Sequence, residues 1–326
     1  MSPSEFKEIF DKHFSKEIDN LIKRATSISS NKKINSVIKH IKLLSENGKR
    51  LRPYILYLGY GQKKISKKII NQMMGVELLH LFALIHDDIM DGSEKRHGVK
   101  TIQKLAKEDN LGKSFAMLFG DMVFNWSYEY FIKNNSNQKS KDIFSLLIEE
   151  VIVGQSLDAE LSSTSSWSKE DLDQKTLLKT ARYTFRRPLE IGLALREEKV
   201  SKGLEKSYSQ IGENLGIIFQ IDDDLLDIFG NEKKLNKKTF QDIESRQATL
   251  ISFYLKNNKV FKDLLGKKLN TEEKVTLKNL IKDCGALSKI ENERNELIHK
   301  TEKMIGGMED KTVWTNFLNT VINREK

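Results

Sequence analysis

The stretch that decides the fold runs from Val76 to Gly98 and reads VELLHLFALIHDDIMDGSEKRHG. Up to Ile85 its side chains are apolar except for Glu77 and His80, and this part contains neither Pro nor Gly. An apolar run of this length predicts a helix that is buried nearly all round.

The same stretch continues into three carboxylates, Asp87, Asp88 and Asp91. Positions four apart share a helix face, so Asp87 and Asp91 point the same way. The face that precedes them carries small or aliphatic side chains and one histidine, namely Ala83, Leu84 and His80. Carboxylates packed this closely repel one another unless a cation lies between them, and oxygen ligands suit Mg²⁺. The pattern therefore predicts an apolar trench with a magnesium-binding mouth.

A second copy of the motif occurs in IIFQIDDDLLDIFG, where Asp223, Asp224 and Asp227 repeat the D-D-x-x-D spacing. Gly216, Gln220, Asp223 and Asp227 share one helix face below another apolar run. Two such helices predict a pocket closed by facing acidic patches, which would hold a diphosphate through bridging cations. The alternative, solvated charges that end two helices, does not explain why both clusters keep the same spacing.

The composition favours an all-helical protein. The 326 residues include only 3 Pro and 18 Gly, and Leu, Ile, Lys and Glu are abundant. The one cysteine, Cys284, excludes an internal disulfide framework and favours a reducing cytoplasm. We expect no signal peptide and no integral membrane segment. The net charge of +9 comes from lysines spread along the whole chain, which indicates a solvated surface rather than a nucleic-acid site.

A basic segment, ENGKRLRPYI, lies between two predicted helices. Gly48 can end one helix and Pro53 fits the first turn of the next. Lys49, Arg50 and Arg52 would then be displayed at a helix N-terminus, where unpaired amides and the helix dipole favour an anion. We interpret this segment as a phosphate site that needs no metal.

Other helices follow from apolar residues at helical spacing, over residues 5–29, 32–47 and 142–161. The last of these carries Gln155 and Asp158 on one face.

Five residues predict where helices start or break. Ser168 and Asp171 have the spacing of a capping box. Gly120 and Asp121 are expected to interrupt one helix, and Pro188 to kink or interrupt another.

Taken together, the motifs resemble those of the trans-prenyl diphosphate synthases. In chain order they are GKRLRP, VELLH, HDDIMD followed by R-x-G, FGD, GQ-x-x-D, KT and FQI-x-DD-x-x-D. The resemblance implies an all-α fold of the isoprenoid synthase type, a large single helical bundle around a deep central cavity, with residues 1–326 as one domain. It also implies a homodimer. In the implied reaction an allylic diphosphate ionises, isopentenyl diphosphate attacks the carbocation, and proton loss leaves a product five carbons longer.

The resemblance assigns roles to the two aspartate motifs. It implies that Asp87, Asp91 and Asp223 bind Mg²⁺, three ions in all, and that Asp88, Asp224 and Asp227 complete the motifs. The metals would neutralise the departing diphosphate by Lewis-acid catalysis.

The remaining roles are implied in the same way. Arg96, Lys179 and Lys237 would grip the allylic diphosphate, and Thr180 and Gln220 would place oxygens near the developing cation. Lys49, Arg52 and His80 match the positions that hold isopentenyl diphosphate. Gln155 and Asp158 would support the site, and Arg324 resembles a terminal basic group that closes over it.

Two positions depart from the family pattern. His97 stands where a second arginine is usual, and Gln247 stands where a lysine is usual. A histidine is mostly neutral near pH 7, so a permanently charged group is lost. We expect higher Michaelis constants or compensation by Arg246 and Lys100, and an active enzyme.

The product length should depend on residues one helical turn before Asp87. Phe82 would block part of the trench, while Ala83 leaves room beside it. In the family this pattern implies geranylgeranyl diphosphate (C20). Farnesyl (C15) and C25 products remain alternatives, as does a purely packing role for Phe82.

Two further functions compete with this interpretation. A class I terpene cyclase shares the first aspartate motif, but it generally lacks the second D-D-x-x-D and has no need of Lys49 and Arg52. A non-catalytic diphosphate-binding subunit would explain His97 and Gln247, but the complete set of metal ligands argues against it.

Overall fold

The computed structural model describes residues 1–96, 98–106, 108–133, 135–164, 166–232, 238–308 and 310–323. Most residues in these ranges lie in helices, which confirms the predicted all-α class. The described residues contain a single sheet, a hairpin of β1 (Lys95–Arg96) and β2 (Val99–Lys100), in which Lys95 pairs with Lys100.

The helices in the first part of the chain are α1 (Pro3–Thr26), α2 (Lys32–Glu46), α3 (Leu51–Gly59), α4 (Lys67–Met90), a short 3₁₀ turn (Ile102–Lys104), α5 (Asp109–Ile132) and α6 (Gln138–Ser163). One long helical stretch follows, made of α7 (Lys169–Lys175), a π-helical segment (Thr176–Arg186) and α8 (Arg187–Ala194). The remaining helices are α9 (Lys202–Phe229), α10 (Gln241–Glu244), α11 (Leu250–Leu255), α12 (Lys259–Leu264), α13 (Thr271–Asp283), α14 (Ala286–Gly306) and α15 (Lys311–Ile322).

The chain divides into two compact units. The first unit comprises Met1–Asp142 and Ile191–Lys199, and the second comprises Ile143–Glu190 and the chain from Val200 onward. The first aspartate motif lies in the first unit and the second motif in the second unit. That residues 1–326 form one domain stays a prediction.

Helix α4 is the core helix of the first unit. The Ser66 side chain caps its N-terminus by accepting a hydrogen bond from the Ile69 amide, at 3.3 Å. Leu78, Leu79 and Leu81 are buried, as the apolar run predicted. Among the described residues α4 alone has the length and composition of a membrane-spanning helix, but 67% of its most apolar window is buried inside the fold. Core packing therefore explains its apolar sequence.

Three phenylalanines on α1 form a ladder of rings in the first unit. Phe6, Phe10 and Phe14 recur at every fourth position, are at most 1% exposed and stack with centroids 5.5–5.7 Å apart. The ladder continues onto α3, since the Phe6 ring lies 5.3 Å from that of Tyr57. Offset aromatic pairs of this kind add stabilisation beyond the area that they bury.

The predicted break at Gly120 and Asp121 is wrong, because α5 continues through both residues. The glycine leaves room for a neighbouring side chain. A Cβ atom at position 120 would lie 2.3 Å from Nε2 of His86, so a larger residue would require the His86 ring to move.

The predicted interruption at Pro188 is also wrong, since the helical backbone continues to Ala194. The helix instead changes its hydrogen-bond register just before the proline. The Arg187 amide still donates to the carbonyl of Arg182, five residues back, and α8 begins at Arg187. Proline has no amide hydrogen to donate, so it fits the position where one register ends.

Two glycines allow the π-helical segment to pack closely in the second unit. A Cβ atom on Gly154 of α6 would lie 2.5 Å from the Lys179 amide nitrogen. A Cβ atom on Gly216 of α9 would lie 2.2 Å from the Cα atom of Ala181. The segment that carries Lys179 and Thr180 is therefore held at backbone contact with two neighbouring helices.

Candidate active site

The first aspartate motif occupies the last turn of α4, and its carboxylates have different environments. Asp88 is 3% exposed and is bound by Arg96, whose Nη2 lies 2.7 Å from Oδ1 and whose Nε lies 3.1 Å from Oδ2. Asp87 is half-buried, 3.9 Å from the same guanidinium, and Asp91 is exposed. Burial opposes the charge on Arg96, but the hydrogen bonds to Asp88 and the nearby carboxylates outweigh it and raise the pKa of Arg96.

A buried glutamine holds the turn between the motif and the hairpin. Gln103 is 2% exposed, and its Nε2 donates to the carbonyls of Asp88, at 2.5 Å, and Ser93, at 2.8 Å. The turn thereby places Arg96 against Asp88. Gln103 could not be predicted from the sequence, because nothing in its spacing connects it to the motif.

The basic segment before α3 is only partly as predicted. Lys49 is exposed and Arg52 half-buried, but Arg50 is not displayed at the helix end. Its φ of 55° turns it inward, where it is 5% exposed and donates to Asp11 at 2.6 Å and Glu77 at 2.7 Å. Arg50 is therefore a structural ion-pair residue, and the expectation of three displayed cations is wrong.

A strip of half-buried residues runs along the otherwise buried α4 toward Asp87 and contains His80, Phe82, Ala83 and Leu84. The Phe82 ring lies 5.1 Å from the Phe124 ring and 4.5 Å from the His86 ring. Phe82 thus belongs to an aromatic group, and Phe124 of α5 is a neighbour that the sequence analysis did not identify.

The second aspartate motif lies near the end of α9, and its carboxylates also have different hydrogen-bond partners. Asp227 caps α10, because its carboxylate accepts hydrogen bonds from the amides of Gln241 and Asp242, both at 3.1 Å. Asp224 is 4% exposed and accepts from Gln220 Nε2 at 2.8 Å. Burial, with the charge of Asp242 adding to it, raises the pKa of Asp224 to about 7. Asp223 is half-buried.

Two acidic residues next to this motif were missed. Asp242 lies close enough to Asp224 to affect its pKa. Asp222 is held by Arg294, with Nε 2.6 Å from Oδ1 and Nη2 3.0 Å from Oδ2. Asp222 directly precedes the motif, so the run of three aspartates was visible in the sequence, but its partner on α14 was not.

A lysine pair faces Asp158 of α6 in the second unit. Lys179 Nζ donates to Oδ2 of Asp158, and Lys175 Nζ lies 3.3 Å from Oδ1. Burial alone would raise the pKa of Asp158, but the charges of Lys175 and Lys179 outweigh it and lower the pKa. The Lys175 side chain is 8% exposed and that of Lys179 is 30% exposed, so only Lys179 is accessible to a ligand. Lys175 was not predicted from the sequence, although it stands one helical turn before Lys179.

A hydrogen-bonded chain connects the π-helical segment to the second motif. Thr180 Oγ1 donates to Gln220 Oε1 at 2.7 Å, and Gln220 Nε2 donates to Asp224 Oδ1 at 2.8 Å. The amide group of Gln220 is therefore fixed in one orientation, with its oxygen toward Thr180. Gln155, one turn before Asp158, is half-buried.

Three predicted residues, His97, Lys237 and Arg324, lie outside the described residues. Gln247 lies inside them and accepts a hydrogen bond from Ser162 Oγ at 3.2 Å. It follows Arg246, which is exposed and has a φ of 61°.

Within the described ranges, no three His, Cys, Asp or Glu side chains are grouped closely enough to hold a metal ion. The hydrogen bonds above give a reason. Asp88 and Asp227 use their oxygens on partners within the protein, so each motif presents fewer carboxylates than its sequence suggests.

Comparison with known proteins finds a matching family model and several similar proteins. The polyprenyl synthetase family model matches residues 31–283. A short chain isoprenyl diphosphate synthase of Methanocaldococcus jannaschii is 30% identical over 247 residues, covering 74% of this chain and 72% of that protein. A geranylgeranyl pyrophosphate synthase of Geoglobus acetivorans is 30% identical over 273 residues, covering 80% of this chain and 81% of that protein.

The fold has solved counterparts as well. A crystal structure of geranylgeranyl pyrophosphate synthase from Corynebacterium glutamicum, complexed with isoprenyl diphosphate and magnesium, has a TM-score of 0.90 at 24% identity. The match covers 99% of this chain and 100% of that one. Because the family model matches most of its length, the chain belongs to the polyprenyl synthetase family of prenyltransferases.

Proposed function

We propose that the protein condenses isopentenyl diphosphate head-to-tail with allylic diphosphates and releases a short all-trans prenyl diphosphate. Family membership supports the reaction class, and the two aspartate motifs carry the proposal because each ends a largely buried helix. We further propose that residues 1–326 act as one catalytic domain in the cytoplasm.

The donor atoms fit Mg²⁺. This ion keeps several waters and usually binds one or two carboxylates together with substrate phosphates, rather than a cage made wholly of protein. A motif with Asp88 buried against Arg96, Asp87 half-buried and Asp91 exposed matches that preference. We propose Asp87, Asp91 and Asp223 as ligands of three Mg²⁺ ions. When bound, the metal supplies Lewis-acid stabilisation of the departing diphosphate.

The chain's own cations would bind the same diphosphate. Lys179 can leave Asp158 for a phosphate oxygen, because Lys175 stays behind to balance the buried carboxylate. Arg96 is directed by Asp88 toward the mouth of the first motif. We keep Lys237 as a proposed third cation, and Gln155 as a supporting residue beside Asp158.

Thr180 and Gln220 would stabilise the allylic cation with oxygen lone pairs. Gln220 Oε1 accepts one hydrogen bond from Thr180 and retains a second lone pair. Because Asp224 holds the amide nitrogen, the side chain cannot turn its donor toward the cation without losing that bond. Preorganised dipoles of this kind need no rearrangement when the charge develops.

For isopentenyl diphosphate we propose Lys49, Arg52 and His80. Lys49 is exposed and Arg52 lies in the first turn of α3, where the helix dipole favours an anion. The inward position of Arg50 supports this site indirectly, since its ion pairs to Asp11 and Glu77 fix the start of the helix.

We propose a C20 product, with Phe82 and Ala83 as the floor. Phe82 is backed by Phe124, so its ring cannot move aside freely, while Ala83 adds no bulk. The Geoglobus acetivorans relative, named for geranylgeranyl product, supports this length.

We also propose a homodimer. Large apolar side chains are exposed on α5, where Met117, Leu118 and Tyr128 are 51%, 58% and 52% exposed. Exposed apolar groups of this density on one helix are typical of an association surface. Sedimentation equilibrium of the wild type and of L118K tests it: the variant should shift toward monomer, and an already monomeric wild type would refute the proposal.

The reaction is tested by supplying Mg²⁺, isopentenyl diphosphate and, separately, dimethylallyl, geranyl and farnesyl diphosphate. Dephosphorylated products are then sized by chromatography. We expect C20 alcohol from every starter. A shorter or longer product would refute the proposal that Phe82 and Ala83 limit the product to C20. A folded protein that elongates no starter would refute the proposed enzymatic activity.

A further inference from the structure

Six charged residues of the second unit form a closed ring of ion pairs. Glu150 comes from α6, Glu213 from α9, and the other four from the π-helical segment and α8: Arg182, Arg186, Arg187 and Glu190. The side chains are 8–26% exposed, so the ring is largely out of water.

Charges alternate around the ring, and each carboxylate bridges two arginines. Glu150 Oε1 accepts from Arg182 Nη1 at 2.9 Å and from Arg187 Nη2 at 2.7 Å. Glu190 accepts from Arg187 Nη1 and, at 2.7 Å, from Arg186 Nε. Glu213 Oε1 accepts from Arg186 Nη1 and, at 3.1 Å, from Arg182 Nε. Three positive and three negative charges leave the ring neutral.

Burial of Glu190 by itself raises its pKa, but the hydrogen bonds from Ser209 and Arg186 and the charges of Arg187 and Arg186 outweigh burial and lower the pKa. Glu190 therefore stays charged near neutral pH. Buried ion pairs contribute little net stability, because desolvation offsets their attraction, but they can fix one packing register.

The ring contacts the π-helical segment, so the register concerned is the backbone hydrogen-bond register of that segment. A π-helix is rare and persists where its surroundings stabilise it, commonly at functional sites. Arg182 and Arg186 lie within the segment, and the ring joins them to α6 and α9. On the N-terminal side of Arg182, in the same segment, are Lys179 with its bond to Asp158 and Thr180 with its bond to Gln220.

We propose that this ring is a positioning device that holds the segment in its π register, and through it holds Lys179 and Thr180 in the orientation that receives the allylic diphosphate. The proposal rests on the function proposed above. Without the ring, the segment would shift toward the α register and rotate Lys179 and Thr180 away from Asp158 and Gln220.

Glu213→Gln opens the ring at one place and keeps the protein folded. Arg182 retains Glu150 and Arg186 retains Glu190, so no arginine loses every carboxylate. Arg24→Gln is the matched control. It removes another two-pronged arginine–carboxylate pair, with Glu129, from the first unit. Amide hydrogen exchange of residues 176–187 and steady-state kinetics with both substrates are measured for each variant.

We expect Glu213→Gln to speed exchange in residues 176–187 about tenfold and to raise the KM of the allylic diphosphate about tenfold, the usual size of an outer-shell effect. The KM of isopentenyl diphosphate should change less than about twofold, since the residues proposed to bind it, Lys49 and Arg52, are not members of the ring. Arg24→Gln should change none of these values. Unchanged exchange, or equal rises in both KM values, would overturn the proposal. A wild type without turnover would refute the proposed function, while the exchange result would still decide whether the ring sets the register.

Discussion

Arg96 and Asp88 form a buried two-pronged ion pair, with Nη2 of the arginine 2.7 Å from Oδ1 and Nε 3.1 Å from Oδ2. The pair links the end of α4 to the hairpin that follows it. The three aspartates of the first motif therefore have different environments: Asp88 is buried against the arginine, Asp87 is half-buried, and Asp91 is exposed.

Neutralising Asp88 and neutralising Asp91 should therefore change different kinetic parameters. In D88N the charge-assisted bonds to Arg96 are lost, and such bonds contribute about 1.5–3 kcal/mol. We expect kcat/KM for the allylic diphosphate to fall about 10- to 100-fold, with little change in the Mg²⁺ concentration for half-maximal rate. D91N should instead raise that Mg²⁺ concentration. Rates measured over a Mg²⁺ series compare the two, and an equal shift in both variants would contradict the division of roles.

Gly154 should not tolerate a side chain. In G154A the new Cβ atom would lie 2.5 Å from the Lys179 amide nitrogen and 2.9 Å from the Leu178 carbonyl carbon. Both are backbone atoms, so α6 must move away, at a cost of about 1–3 kcal/mol. Urea unfolding measures the loss, and kinetics should show weaker allylic diphosphate binding.

Gly203 provides the control for that substitution. It lies in the first turn of α9, and the nearest atom to an added Cβ is Ser201 Oγ at 3.9 Å. Alanine there should be neutral or stabilise by up to about 1 kcal/mol. If G154A were as stable and as active as G203A, the tight packing of the π-helical segment would have no consequence.

Removing the Phe82 ring should lengthen the product. F82A takes away the side chain that packs against Phe124 at 5.1 Å, and we expect products longer than C20. F261L, a buried phenylalanine changed in the second unit, controls for loosened packing and should keep the wild-type length. Chromatography of the dephosphorylated products measures their chain length. An unchanged length in F82A would mean that Phe82 has only a packing role.

Asp158 should stabilise the protein in a pH-dependent manner. Its pKa is lowered in the folded state, where the charges of Lys175 and Lys179 outweigh the effect of burial. The unfolded value is about 3.9, so the contribution is complete above that pH and is lost as the pH falls through the lower folded pKa. D158N should cost about 3 kcal/mol at pH 7, because it leaves Lys175 without its carboxylate in the interior.

Urea unfolding of both proteins between pH 7 and pH 3 tests this. The difference in unfolding free energy should stay constant down to about pH 5 and shrink below about pH 4. A difference that grew toward low pH would mean that the carboxylate is destabilised in the folded state.

The sequence was sufficient for the helical class, because helices depend on local patterns. The apolar run of α4 is buried as predicted, and the capping box of Ser168 and Asp171 is present. Lys179, Thr180 and Gln220 were proposed as site residues from motifs, but their hydrogen bonds to Asp158 and Asp224 and to each other could not be predicted.

What sequence could not supply is the direction in which equivalent residues point. Arg50 stands between Lys49 and Arg52 in one basic run, yet a positive φ turns it into the core. Asp88 is buried, 2.7 Å from Arg96 of the hairpin, whereas its neighbour Asp87 is half-buried and 3.9 Å from the same guanidinium. The π register depends on α6 and α9, which are distant in sequence, so the local periodicity of residues 176–186 could not reveal it.

The central claim is that carboxylates from both aspartate motifs are needed, with Mg²⁺, for elongation. The most direct measurement is the initial rate of isopentenyl diphosphate incorporation from farnesyl diphosphate by the wild type, D87N and D223N, with Mg²⁺ or with a chelator. We expect the wild type to elongate only with Mg²⁺, and each variant to lose at least about a hundredfold in rate, as the removal of one electrostatic group at a reacting centre commonly does. A wild type that elongates in chelator, or a variant at either motif that keeps the wild-type rate, would contradict the account.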